Sequence, residues 1–156
     1  MAYEIERKFV VKSDRWRTSA RGPERLRQFY LAADGPANVR VRISTGEEAK
    51  FTVKSSEAGM RRTEFEYSIP REDAEAMLPL AVGSVIEKER YVVSFDGIDW
   101  EIDVFHGDNE GLVIAEAELA SADQAISHPD WLGAEVTADA RFYNAALAFM
   151  PFKRWP

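Results

Sequence analysis

The chain has 156 residues, 46% hydrophobic and 30% charged, with a formal net charge of −7; residues 1–156 make one domain of this length, with one sizeable core. It contains no cysteine, which excludes disulfides, thiolate metal sites and a thiol nucleophile. The acidic mean field argues against nucleic acid as a partner, no apolar run is long enough for a membrane-spanning helix, and the acidic start Met1-Ala2-Tyr3-Glu4-Ile5-Glu6 lacks the features of a secretory leader, so a cytoplasmic location is expected.

In chain order, alternation bounded by turn residues predicts strands over Tyr3–Val11, Gln28–Ala32, Asn38–Ser44, Ala49–Ser55, Arg62–Ile69, Val85–Phe95, Ile98–Phe105 and Leu112–Leu119. A turn at Thr45-Gly46-Glu47-Glu48 joins the third and fourth. Asp96-Gly97 is a hairpin signal, because that pair tolerates positive φ. Helices are expected at Ser13–Ala20, at Pro70–Leu78, and at a capping-box pattern, Ser121 with Gln124. A final helix, capped by Asp139, runs to Phe149 with Phe142, Ala145, Ala146 and Phe149 on one face, and Pro151 stops it. Eight strands suffice to close a small barrel.

Residues two apart on a strand share a face. Glu4, Glu6 and Lys8 therefore point together, as do Arg40 with Arg42, Lys50 with Thr52 and Lys54, and Arg62 with Glu64 and Glu66. The same holds for Lys88 with Arg90, Glu101 with Asp103, and Glu116 with Glu118. The opposite faces are mostly apolar. Like charges side by side on a sheet are destabilising, so something must offset them. Either these faces look outward into water, or they line a wet, ligand-filled cavity; a dry interior would cost several kcal/mol per ion. Divalent cations would offset the acids, and a polyphosphate the bases, because Arg forks and Lys ammonium groups match phosphate oxygens. Other chemistry is poorly represented. His106 and His128 have no metal-ligand spacing, no nucleophile elbow or Walker-type loop is present, and Tyr30 and Tyr143 read first as packing or capping residues.

Glu4-Ile5-Glu6-Arg7-Lys8, an E-x-E-x-K pattern opening a strand near the N-terminus, resembles the signature of the CYTH superfamily, the triphosphate tunnel metalloenzymes. The similarity continues in order through Gln28-Phe29-Tyr30-Leu31, Val39-Arg40-Val41-Arg42, Phe51-Thr52-Val53-Lys54, Arg62-Thr63-Glu64-Phe65-Glu66, Glu87-Lys88-Glu89-Arg90-Tyr91, Glu101-Ile102-Asp103-Val104-Phe105 and Ala115-Glu116-Ala117-Glu118-Leu119. It extends to Gly133-Ala134-Glu135-Val136-Thr137, Asp139 and Arg141-Phe142-Tyr143-Asn144.

The resemblance implies an α+β fold: an eight-stranded antiparallel barrel with a charged tunnel inside and helices outside. It implies Glu4, Glu6, Asp103, Glu116 and Glu118 as ligands of one or two Mg²⁺ or Mn²⁺ ions. Lys8, Arg40, Arg42, Lys54, Arg62, Lys88 and Arg90 would hold a triphosphate, with Glu64 and Glu66 positioning those bases. Lys88 with Tyr30 would place the water or the scissile phosphate, and Glu118 or Asp103 would orient the water. The implied activity is hydrolysis of a small triphosphate, first of all tripolyphosphate. ATP and thiamine triphosphate are further candidates, as are a class IV adenylate cyclase and a non-catalytic polyphosphate-binding barrel. A homodimer is compatible with all of these.

Overall fold

The computed structural model describes residues 3–45, 49–57 and 59–156. In chain order they form β1 (Tyr3–Val11), β2 (Arg21–Ala32), β3 (Ala37–Ser44), β4 (Ala49–Ser55), β5 (Arg61–Ile69), α1 (Arg71–Met77), β6 (Val82–Phe95), β7 (Ile98–Phe105), β8 (Val113–Glu118), β9 (Leu132–Glu135) and α2 (Asn144–Leu147). Antiparallel pairing runs β5-β4-β3-β2-β6-β7-β8-β1, and β1 pairs back onto β5, which closes an eight-stranded barrel. The edge of β1 is shared: Tyr3 to Ile5 pair with β5, whereas Phe9 and Val11 pair with β9.

The expected strands are present. At the β6–β7 hairpin, Asp96 and Gly97 take φ of 48° and 81°, the two positive values that a type I′ turn demands. The turn expected after β3 lies, apart from Thr45, outside the described residues. Alternation did not reveal β9, a four-residue strand in which a Cβ on Gly133 would come within 2.9 Å of the Val10 carbonyl oxygen. So close an approach of two backbones suits glycine.

Among the described residues, three apolar clusters hold the barrel. On the outer faces of β1, β6, β7 and β8, Phe9, Val93, Trp100, Ile102, Ala115 and Ala117 pack beneath Trp16 and Trp131. Trp16 comes from a 3₁₀ turn, Arg15–Ser19, within the region expected to be helical. On the outer faces of β2, β3 and β4, Phe29, Val41, Ile43 and Ala49 pack beneath Ala74 of α1. Glu72 and Asp73 in the first turn of α1 favour its N-terminal dipole.

The third cluster lies inside. Cross-strand partners share a face, so Phe105 opposite Lys88 and Ile114 opposite Asp103 point into the barrel. With Tyr30 and Ile86 they meet Phe142, Leu147 and Ala148 of the C-terminal segment, which stoppers that end of the barrel. The interior is thus apolar at one end rather than charged throughout.

Two expected helices differ. Around Ser121 the chain makes a single turn, with Gln124 Oε1 accepting from Ala120 N at 2.7 Å, and does not propagate; one turn alone does not repay helix nucleation. The final helix is split into a 3₁₀ turn, Ala140–Phe142, capped by Asp139, and α2. Tyr143 breaks it with extended backbone (ψ 139°), because its side chain is tethered by hydrogen bonds to Thr137 and Gly59.

The stopper docks through Gly83, which has φ 73° and where a Cβ would lie 2.7 Å from the Ala148 carbonyl oxygen. That carbonyl accepts from Ser84 N at 2.8 Å. Gly83→Ala is therefore expected to destabilise the fold by about 1–3 kcal/mol, read from the shift in the urea unfolding midpoint. An unchanged midpoint would show that the docking contributes little.

Candidate active site

A cavity of about 520 Å³ occupies the barrel. Its described lining includes seven Lys and Arg side chains and eight Asp and Glu side chains. The charged strand faces therefore point inward, into a space large enough to be wet. Lys8, Arg40, Arg42, Lys54, Arg62, Lys88 and Arg90 all line it, as do Tyr30, Glu4, Glu6, Glu116 and Glu118. Glu64, Glu66 and Glu101 join them.

The acids form one wall. Antiparallel register places Glu6 opposite Glu118, Lys8 opposite Glu116, and Glu101 opposite Glu116. Lys54 reaches across to this wall, its Nζ 2.5 Å from Glu4, 3.5 Å from Glu6 and 3.9 Å from Glu64. Lys8 Nζ lies 3.4 Å from Glu116. Among the described residues, no three carboxylate or imidazole side chains form a ready-made metal cage. The acids meet in pairs instead.

The bases are held from behind. Arg90 makes a two-pronged contact with Asp103, Nε to Oδ1 at 2.8 Å and Nη2 to Oδ2 at 3.0 Å, and Lys88 Nζ lies 2.8 Å from Asp103 Oδ2. The resemblance implies Asp103 as a metal ligand, and in this structure it faces cations. It is buried, does not line the cavity, and both its oxygens are taken by these cations. Its register explains why, since Asp103 pairs directly with Arg90. Arg40 donates to Thr52 at 3.3 Å, and Thr52 donates to Glu66 at 3.3 Å.

Sequence reasoning missed two amides and misjudged one ring. Arg42 Nε donates to Gln28 Oε1 at 3.2 Å, while Gln28 Nε2 and Lys88 Nζ both donate to Asn144 Oδ1, at 3.0 and 3.1 Å. The Tyr143 ring lies 4.1 Å from the Arg62 guanidinium carbon and 5.2 Å from Lys8 Nζ, so it is a cation platform as well as a packing residue. The available signal was the position of Gln28 on the charged face of β2, two residues from Tyr30. Asn144 gave none, because its place depends on the folding back of the C-terminal segment.

Electrostatics separate the groups. Burial, with Arg90 and Arg42 nearby, lowers the Lys88 ammonium to about 7 against the pull of Asp103. Burial and the neighbouring Arg40 and Arg90 lower Arg42 to about 10. Burial opposes the charge on Arg90 too, but the Asp103 carboxylate wins and holds it well above its usual value. Among the acids, burial and the adjacent Glu116 raise Glu6 to about 8. Glu116 goes the other way: burial disfavours its charge, but Lys8 and a hydrogen bond with Glu6 hold it well below the usual carboxylate range.

A closed antiparallel barrel that carries acids on β1 and β8 and bases on β3, β4 and β6 around one cavity defines a charged, tunnel-type barrel. The chain belongs to the CYTH family, whose domain model matches residues 2–144. An inorganic triphosphatase of Acetivibrio thermocellus is 43% identical over 156 residues, covering 99% of each chain. An inorganic triphosphatase of Nitrosomonas europaea is 36% identical over 148 residues, covering 93% of this chain and 96% of that protein. The crystal structure of an inorganic triphosphatase superposes with a TM-score of 0.67 at 37% identity, covering 95% of each chain.

Glu6 carries a sign that can be checked. Its folded value of about 8 stands above its ordinary 4.5, so between those pH values the native state holds a proton that the unfolded chain has released. Stability then falls as pH rises through this window. Metal-free protein is expected to lose stability from pH 5 to about pH 7, above which the lowered Lys88 ammonium contributes with the opposite sign, and Glu6→Gln is expected to flatten the fall, both measured by urea titration at successive pH values. A wild-type slope of opposite sign would show that Glu6 is ionised in the fold.

Proposed function

We propose that this chain is a metal-dependent inorganic triphosphatase, which hydrolyses tripolyphosphate to pyrophosphate and phosphate inside the barrel. One observation carries the reading. Among the described residues, Arg40 Nε and Arg62 Nε are buried without a hydrogen-bond partner, within the walls of a cavity whose described lining holds seven cations. Buried guanidinium N–H groups are costly to leave unpaired, and a polyphosphate supplies the missing acceptors. The two relatives named inorganic triphosphatases support the same reading.

The metal requirement fits the donor set. Glu4, Glu6, Glu116 and Glu118 offer hard oxygens on one wall, which suits one or two Mg²⁺ or Mn²⁺ ions. The lack of a ready-made cage among the described residues agrees with a cation held by a few carboxylates together with substrate phosphates. When bound, the ion supplies charge neutralisation and polarises phosphate oxygens.

The chain's own groups do the rest. Arg40, Arg42, Arg62, Lys8 and Lys54 bind and orient the phosphates, with Glu64 and Glu66 steadying Lys54 and Arg40. Lys88 and Arg90, anchored on Asp103, offset the charge that grows on the leaving pyrophosphate. Glu118, which faces the cavity, accepts a hydrogen bond from the attacking water and aligns it with the scissile phosphorus. The water oxygen bonds to that phosphorus as the bridging P–O bond breaks, its proton passing to Glu118, and Lys88 with Tyr30 holds the phosphate in line. Of the aromatic rings in the described lining, Tyr30 is buried in the apolar layer, Tyr143 is covered by Arg62 and Lys8, and Phe149 packs against Gly83. Among these described rings Phe149 alone is exposed, so no pair is placed to sandwich a nucleobase, which favours the bare polyanion.

The test is phosphate release from tripolyphosphate, ATP and thiamine triphosphate with Mg²⁺ or Mn²⁺, with cyclic AMP followed in parallel. Turnover is expected with tripolyphosphate and is expected to vanish with chelator. Alanine at Glu4, Glu6 or Glu118 should reduce it by on the order of 100-fold while circular dichroism stays native. Cyclic AMP from ATP, or full activity in those variants, would sink the proposal.

A further inference from the structure

The carboxamide of Asn144 is held by its oxygen, which orients its nitrogen. Arg42 Nε can only donate, so the Gln28 atom 3.2 Å from it is the oxygen Oε1. That leaves Gln28 Nε2 as a donor, 3.0 Å from Asn144. Lys88 Nζ lies 3.1 Å from the same Asn144 atom and donates to it. Two donors converging on one atom fix it as Oδ1 and fill both its lone pairs. The relay is anchored at each end by a cation, and each amide can take only one orientation. Asn144 Nδ2 keeps both protons, makes no hydrogen bond to any described residue, and belongs to a side chain that lines the cavity.

We propose that Asn144 is a substrate-binding residue, whose Nδ2–H₂ donates to a phosphate oxygen of the polyphosphate beside Lys88. This rests on the triphosphate reading above and deepens it. A neutral N–H donor among charged groups prefers an anionic oxygen, since such bonds are shorter and stronger than neutral ones. It also adds no further positive charge beside Lys88 and Arg42, which already crowd each other. The C-terminal segment thereby contributes to ligand recognition as well as closing the barrel.

Isothermal titration with tripolyphosphate tests this without requiring turnover, and phosphate release is measured separately on the same proteins. Asn144→Asp keeps an acceptor for both Gln28 and Lys88 but replaces the donor by an anion. It is expected to retain the wild-type thermal midpoint and to weaken tripolyphosphate binding at least 100-fold. Asn144→Ala, which removes the donor without adding charge, should weaken binding about 10-fold. If Asn144 served only to position Gln28 and Lys88, Asn144→Asp would lose no more affinity than Asn38→Asp, which adds the same charge to the lining of the same cavity, and that result overturns the inference. So does wild-type affinity in a folded Asn144→Ala protein. Wild-type protein that binds tripolyphosphate without hydrolysing it would defeat the triphosphatase reading alone, and the variants would still decide the role of Asn144. Absence of wild-type binding would overturn both.

Discussion

Asp103 carries two cations at once. Lys88 and Arg90 sit two residues apart on the same face of β6, and without a carboxylate behind them they would repel each other in a confined space. Asp103, paired in register with Arg90, fixes the Arg90 fork in a plane and holds Lys88 within 2.8 Å. Taking three ions out of water together is expensive, and losing one would leave the others uncompensated. The reward is positional: two positive groups in defined places, facing a cavity, with their carboxylate hidden from any incoming anion. The rest of the basic wall repeats this scheme more weakly, through Glu66 behind Arg40 and Glu64 beside Lys54.

Such an interior needs a rigid shell, and the outer faces supply it. Trp16 and Trp131 pack over one side of the barrel and α1 over another, so the stabilising apolar burial lies mainly outside the strands. This inverts the arrangement of a small barrel with a packed centre. The interior keeps one apolar layer, at the end stoppered by Phe142 and Leu147, and remains polar elsewhere.

Strand alternation made much of this legible. The paired charges at Glu4/Glu6, Arg40/Arg42, Lys88/Arg90 and Glu116/Glu118 could be assigned to common faces from spacing alone, because strand geometry leaves no other choice. Alternation does not say which face is the inside. That depends on closure, and the apolar face is outside here only because short coverings happen to bury it. Spacing put Asp103 on the inner face, where the structure has it, while its metal-ligand role came from the resemblance; only the register with Arg90 shows that it lies behind a guanidinium. Gln28 and Asn144 were passed over because a neutral amide carries no pattern until its partners are known. The final helix was overextended because tertiary hydrogen bonds from Tyr143 overrode a good helical period.

The seam between β1 and β8 brings together residues far apart in the chain, Glu6 meeting Glu118. Joining them carries the largest loop-closure cost among the eight barrel strands, and topologies dominated by such pairings fold slowly. It is also the seam where acids face acids, so the barrel closes its most distant joint against electrostatic resistance. Solution conditions that soften that resistance should quicken assembly itself, and low ionic strength at high pH should hinder it. The same carboxylates that equip the interior for a charged ligand thus set the pace at which there is an interior at all.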